Sequence, residues 1–205
     1  LVALGHGLQL QTHPMAARAG RDTSTWIVPG LGVDQPSALA DRLARDDARA
    51  ASERLRQHVA RGGEVAASCS AVFLLHAAGL LDGRRATTSW WLAPRLQGLA
   101  PLCRVDADRM VCADGPIAIA GAALAQADLM LHLLRTRFGP ALADAVSRVL
   151  LIDGRQAQAP FVLPALQANG NELIGRLTEY IESALPHPPG VAALAEAFAM
   201  SPRTL

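Results

Sequence analysis

The sequence predicts an α/β fold, a doubly wound and mostly parallel sheet flanked by helices, with a short all-α segment behind it. Three observations lead there. Short apolar runs alternate with longer amphipathic ones, the pattern of βα units around a parallel sheet. Gly, Pro and Asp turn signals punctuate these runs. A length of 205 residues, with a composition shift near Ala168-Asn169-Gly170, suits one domain and a small appendage, divided as residues 1–168 and 169–205.

The elements follow in order. Residues 2–4 and 8–11 read as short strands, and residues 24–28 (STWIV) as a buried strand closed by Pro29-Gly30-Leu31-Gly32. Over residues 37–61, Leu39, Leu43, Ala50, Leu55 and Val59 recur at helical spacings among arginines and carboxylates, and Gly62-Gly63 ends that helix. Residues 64–68 read as a strand. Residues 70–81 (SAVFLLHAAGLL) form a helix that is apolar on every side and must therefore be buried, with a turn at Asp82-Gly83.

Residues 103–105 and 109–113, around Asp106-Ala107-Asp108, predict a hairpin, and Asp114-Gly115-Pro116 a second turn. Residues 122–137 then form a long helix with Leu124, Ala127, Leu131 and Leu134 on one stripe, and Gly139-Pro140 separates it from a helix over 141–152. Residues 153–164 are loop. Leu173, Ile174, Leu177, Tyr180, Ile181 and Leu185 share one face of a helix over 172–185, which the run Pro186-His187-Pro188-Pro189-Gly190 stops. A last helix covers 192–198. After a break at Ala199-Met200, Ser201 and Pro202 supply the N-cap and N1 residues of another.

Composition narrows the function. Hydrophobic residues make up 51%, charged ones 18%, and the mean hydropathy is +0.21, which excludes a disordered chain and a charged nucleic-acid-binding tail. All 19 basic residues are arginine, the mark of a GC-rich genome. A net charge of +1 predicts no bulk attraction to nucleic acid or to an anionic membrane. Cys69, Cys103 and Cys112 are odd in number and form no CxxC, so a reducing cytoplasm fits better than a disulfide framework. Gly5, His6 and Gly7 interrupt the start and no basic leader opens it, unlike a signal peptide. The most apolar run, residues 117–134, is broken by Gln126, Asp128 and His132, short of a membrane span. Leu1 in place of methionine reads as the edge of a piece cut from a longer frame.

The strongest chemical feature is strand, Ser68-Cys69-Ser70, helix. A cysteine on a tight strand-to-helix turn is held above the sheet edge, where the following amides stabilise a thiolate or an oxyanion. Such a residue reads either as a nucleophile or as an inert buried thiol. The Gly30-Leu31-Gly32 turn belongs to the same carboxyl edge, where ligands of doubly wound sheets bind, and its amides are expected to face the Cys69 sulfur. Two glycines without a following Lys-Ser/Thr match no phosphate loop. A cysteine nucleophile needs a base and a group to orient it, and none stands out. His76 lies two turns along the same helix, and His58 and His132 lie on others. No HxxxH or HExxH pair points to a metal, and no cofactor is implied. Trp90-Trp91 reads either as a pocket wall for a small or cationic ligand or as core or dimer surface.

The run EVAASCSAVFLLHAAGLLDGRRATTSWW over residues 64–91 resembles the nucleophile-elbow region of the ThiJ/PfpI-type, class I glutamine amidotransferase-like superfamily, and above all its AraC/XylS-type transcription-regulator branch. The resemblance extends through Trp26-Ile27-Val28-Pro29-Gly30, through residues 121–134 (GAALAQADLMLHLL) and on to residues 154–161. VAALAEAFAMSPRTL over residues 191–205 looks like the first helix-turn-helix of an AraC-type DNA-binding domain. The resemblance implies a flavodoxin-like sandwich over residues 1–168 and the start of a helix-turn-helix domain over 169–205. Ser201, Arg203 and Thr204 would open its recognition helix, which enters the major groove. By the same comparison the chain is cut at both ends and lacks the second helix-turn-helix, so double-stranded DNA is a partner of the full-length parent and not of this piece.

Departures from the pattern bear on catalysis. Enzymes of the superfamily carry a glutamate on the first βα unit and often a histidine beside the cysteine; here that unit lies upstream and Ser70 follows Cys69. Some regulators have histidine where Ser89 stands, and Leu31 replaces the second glycine of a Gly-Gly turn. The resemblance thus implies a cytoplasmic, homodimeric, ligand-sensing domain that binds a small metabolite over Cys69 with Gly30, Leu31, Ser70 and Trp90. The alternative is a cysteine-dependent hydrolase, hydratase or glyoxalase-like lyase acting on a small carbonyl, amide or isonitrile compound, with Cys69 as nucleophile. A third reading is a thiol switch at Cys69.

Overall fold

A computed structural model describes residues 2–3, 9–12, 23–33, 37–158 and 172–204. Two short strands, β1 (Val2–Ala3) and β2 (Gln9–Leu10), pair antiparallel near the start. The central sheet has β3 (Thr25–Val28), β4 (Glu64–Ser68), β7 (Val111–Asp114) and β8 (Ile117–Ala120) in the order β3-β4-β8-β7. The first three are parallel and β7 is antiparallel to β8. Helices α1 (Ala38–Ala44), α2 (Asp46–Ala60), α3 (Val72–Ala77) and α4 (Ala93–Leu99) belong to one layer. Helix α5 (Gln126–Phe138) covers the other face and packs on α6 (Pro140–Leu150). This is the helix-flanked, mostly parallel α/β sheet that the sequence predicts.

Alternation along β4 explains the two layers. Successive strand residues point to opposite faces. Val65 and Ala67 join Ile117 and Ile119 in a core with Leu55, Phe73, Leu75 and Leu96, whereas Ala66 joins Ala118, Ala120 and Leu129 under α5. Both faces are covered, so β4 and β8 are apolar almost throughout, as buried parallel strands are.

Several boundaries depart from the sequence reading. Residues 37–61 form two helices, because Arg45 turns extended at φ −72° and ψ 149°, and Asp46 and Asp47 then open α2 with favourable charge at its N-terminus. The buried helix after Cys69 starts as a 3-10 turn, Cys69–Ala71, and α3 ends at Ala77, where Gly79 takes a positive φ of 70°. Strand β3 is half-buried, with Ile27 50% exposed, since it is the edge of the described sheet.

The predicted hairpin around Asp106-Ala107-Asp108 is displaced. Instead β6 (Arg104–Val105) pairs parallel with β5 (Arg85–Ala86), and the antiparallel pair is β7 with β8. Gly115-Pro116 supplies the two-residue turn, and Gly115, at φ 61°, has the backbone such a tight turn needs at its first central position. The stripe expected on α5 also shifts. Leu124 precedes the helix and is 81% exposed, while Ala125, Leu129 and Leu131 are buried.

Beyond the sheet, α7 (Glu172–Ser183) and α8 (Val191–Ala197) are the two helices expected there. Ala199 turns at φ 52° in the expected break, and the Ser201 hydroxyl accepts the Thr204 N–H at 3.2 Å, an N-cap contact. The boundary at Ala168-Asn169-Gly170 lies outside the described residues. Among those described, no helix is long and apolar enough to cross a membrane.

Candidate functional site

The site grows from the end of β4. The strand stops at Ser68 and the chain enters the 3-10 turn at once, which forces Cys69 to φ 53°. A non-glycine residue in this region costs roughly 1–2 kcal/mol, and such outliers gather where a side chain must be held in one place. The result is a buried thiol, 9% exposed, at the carboxyl edge of the sheet.

Two segments enclose it. Strand β3 ends at Val28, and Gly30 lies beside the elbow, where a Cβ would make ordinary van der Waals contact, 3.5 Å from the Cys69 Cβ and 3.7 Å from the Ser70 Oγ. The Leu31 N–H donates to the Ser70 Oγ at 2.9 Å. Ser70 is thereby spent on tying the β3 turn to the elbow, and the Leu31 amide serves that bond, not the sulfur as the sequence suggested. From the other side comes the run Thr87-Thr88-Ser89, all buried. The Cys69 Sγ lies 2.8 Å from the Ser89 Oγ, and the Thr88 hydroxyl donates to the Cys69 carbonyl at 3.1 Å.

Behind this run sits Gln158, a buried amide with every polar atom in use. Its Nε2 donates to the Thr88 carbonyl at 2.9 Å, the Arg109 carbonyl at 3.0 Å and the Thr87 Oγ1 at 3.2 Å. Its Oε1 accepts the Trp90 N–H at 3.2 Å. A satisfied buried network of this kind fixes the backbone that carries it. From the sequence alone Gln158 falls in a loop, with no role. The available signal was an uncharged amide in a stretch that resembles the family, opposite a Thr-Thr-Ser run.

Of the residues singled out in the sequence, Gly30, Leu31, Cys69 and Ser70 come together. Trp90 is half-buried and reaches the cluster through its neighbour Ser89 and through Gln158. His58 stacks on Trp26 with ring centroids 4.1 Å apart, and its Nε2 lies 3.1 Å from the Ser24 and Glu64 carbonyls, at the opposite end of β4 from Cys69. Among the described residues the hydrogen-bond partner of the Cys69 sulfur is a hydroxyl, and no group of three or more His, Cys, Asp or Glu could hold a metal. Burial pushes the Cys103 and Cys112 thiols up, which keeps both protonated and unreactive at neutral pH. Ser201, Arg203 and Thr204 are exposed beyond α8, with the Ser201 and Thr204 hydroxyls 2.7 Å apart.

Comparison with known proteins agrees with this architecture. The model of the DJ-1/PfpI family matches residues 22–136, which include β3, β4, the Cys69 elbow and most of α5. The HTH-type transcriptional regulator GlxA of Rhizobium meliloti (strain 1021) is 31% identical over 163 residues, 78% of this chain and 50% of its own length. A protein of the cpoL 5' region of Streptomyces lividans is 54% identical over 74 residues, 36% of this chain and 47% of its own. The chain thus spans about half the length of the curated relatives it matches. Among solved structures, a Vibrio parahaemolyticus protein described as a transcriptional regulator is similar with a TM-score of 0.56 at 18% identity, over 71% of this chain and 73% of that one. An AraC family transcriptional regulator from Pseudomonas putida gives 0.50 at 23% identity, over 62% of each. At these identities the two structures speak for the fold alone.

Proposed function

The chain belongs to the DJ-1/PfpI family, and from that premise we propose that residues 1–168 are the ligand-sensing, dimerising domain of an AraC-type transcription regulator, with residues 169–205 the opening of its DNA-binding domain. The relative named as an HTH-type transcriptional regulator supports a regulatory role. A small metabolite binds over Cys69, between Gly30, Leu31, Ser70 and Trp90, and shifts the population between two arrangements of the DNA-binding halves. Helices α7 and α8 and the Ser201 cap suit a helix-turn-helix. In the full-length cytoplasmic parent, Ser201, Arg203 and Thr204 meet the duplex.

One observation carries the choice of sensor over catalyst: the Cys69 Sγ is hydrogen-bonded to the Ser89 hydroxyl at 2.8 Å. Activating a thiol by general base requires a group that takes its proton near neutral pH, which an alcohol does not do. The test is turnover of methylglyoxal by the protein and by Cys69→Ala, with a static light-scattering mass alongside. The sensor reading expects the same background rate from both and a dimer mass. Consumption that vanishes in Cys69→Ala overturns it, and a monomer at high concentration overturns the dimer.

The positive φ of Cys69 favours the second reading, a cysteine-dependent enzyme acting on a small carbonyl, amide or isonitrile compound, because strain of this kind also marks nucleophile elbows. The same assay decides between them.

A further inference from the structure

A second site lies away from Cys69. Strand β7, helix α5 and the segment Gly154–Gln156 enclose a cavity of about 310 Å³. Four arginines line it, Arg85, Arg109, Arg135 and Arg155, against two acidic residues, Asp106 and Asp128. The lining therefore carries two more positive charges than negative ones, in a chain whose net charge is only +1.

The cations are held in different ways. Asp128 has a side chain only 2% exposed, and it accepts the Arg155 N–H at 2.9 Å and the Arg155 Nη2 at 2.7 Å, which fixes the segment across the mouth of α5. Arg109 lies 3.6 Å from Asp106, and Arg135 lies 2.8 Å from Asp144, which is outside the lining. Arg85 is anchored by its backbone, whose N–H donates to the Asp114 Oδ2 at 2.9 Å, and its guanidinium has no carboxylate partner among the described residues. Burial and the neighbouring Arg135 both lower the His132 pKa, so at neutral pH this wall residue is an uncharged imidazole with one donor and one acceptor. Val111 and Leu131 add an apolar wall.

We propose that this cavity binds a small organic oxyanion, a carboxylate or a phosphate ester, with Arg85 as its principal contact and Val111 and Leu131 against its carbon skeleton. Guanidinium is the side chain best matched to such groups, through paired N–H donors. The volume exceeds what a bare inorganic ion fills, and the apolar wall selects an organic ligand over inorganic phosphate.

Isothermal titration of the protein with succinate, glucose 6-phosphate and inorganic phosphate tests this, repeated with Arg85→Ala and Cys69→Ala. Arg85 is exposed on a two-residue strand, so its truncation leaves the core intact. Succinate or the sugar phosphate is expected to bind with a Kd below about 1 mM and to weaken by about tenfold or more in Arg85→Ala. Cys69→Ala should bind as the wild type does, which separates this site from the sensor pocket. Saturation by neither organic anion at about 10 mM, binding of inorganic phosphate alone, or unchanged affinity in Arg85→Ala overturns the proposal.

Discussion

Gln158 occupies the space in which a side chain at Gly121 would stand. A Cβ at Gly121 would lie 2.1 Å from the Gln158 Nε2 and 3.0 Å from the Arg109 carbonyl, while the Gly121 N–H donates to the Met110 carbonyl at 2.8 Å. A glycine at the end of β8 and a glutamine 37 positions later are one packing unit, and that unit holds the Thr87-Thr88-Ser89 run against Cys69. Gln158→Ala would strand the Trp90 N–H and leave the Thr88 and Arg109 carbonyls to share the single Thr87 hydroxyl, and is expected to cost about 1–3 kcal/mol in urea unfolding. Gly121→Ala should cost about 1–3 kcal/mol by overpacking the same space. Near-neutral values for both would show that the network does not hold the elbow.

Backbone strain at Cys69 gives a second prediction. Glycine adopts φ 53° without the Cβ clash that alanine meets. Cys69→Gly should therefore be more stable than Cys69→Ala by about 1 kcal/mol, the reverse of the order at an ordinary buried position. Equal stabilities, or alanine the more stable, would mean that the elbow is not strained.

His132 sets a pH dependence. Burial, and then Arg135, holds its folded pKa below the usual 6.5. Well above pH 6.5 neither state carries a proton there and the site adds no pH dependence. As the pH falls through that value, the unfolded chain takes up the proton first, so stability drops until the folded pKa is reached and then levels off. Urea melts at about pH 7 and pH 5 should show a larger loss for the wild type than for His132→Gln. An equal loss in the two proteins would contradict it.

The sequence made the site more legible than its surroundings. Strand β4 and the Cys69 elbow could be placed because Gly62-Gly63 and Ser68-Cys69-Ser70 bracket Glu64 and three apolar residues, Val65, Ala66 and Ala67, with local signals. The β6 and β7 pairing could not, because Asp106-Ala107-Asp108 is turn-like in itself, whereas the true partner of β6 is the two-residue β5, which has too few residues to show a period. The break at Arg45 has neither glycine nor proline to announce it. Gln158 was invisible for a different reason. Its partners stand 49 to 71 residues away, on Arg109, Thr88, Trp90 and Thr87, and only the folded chain brings them to one amide.

The most direct measurement incubates the protein with a metabolite extract and follows by mass spectrometry what the protein retains and what it consumes. A sensor site over Cys69 predicts one small molecule held at about one per chain and released chemically unchanged. That molecule should be lost in Gly30→Leu, whose side chain would start 3.5 Å from the Cys69 Cβ, and kept in Arg85→Ala. Depletion of a metabolite far beyond one per chain, abolished in Cys69→Ala, would contradict the account and make the elbow a catalyst.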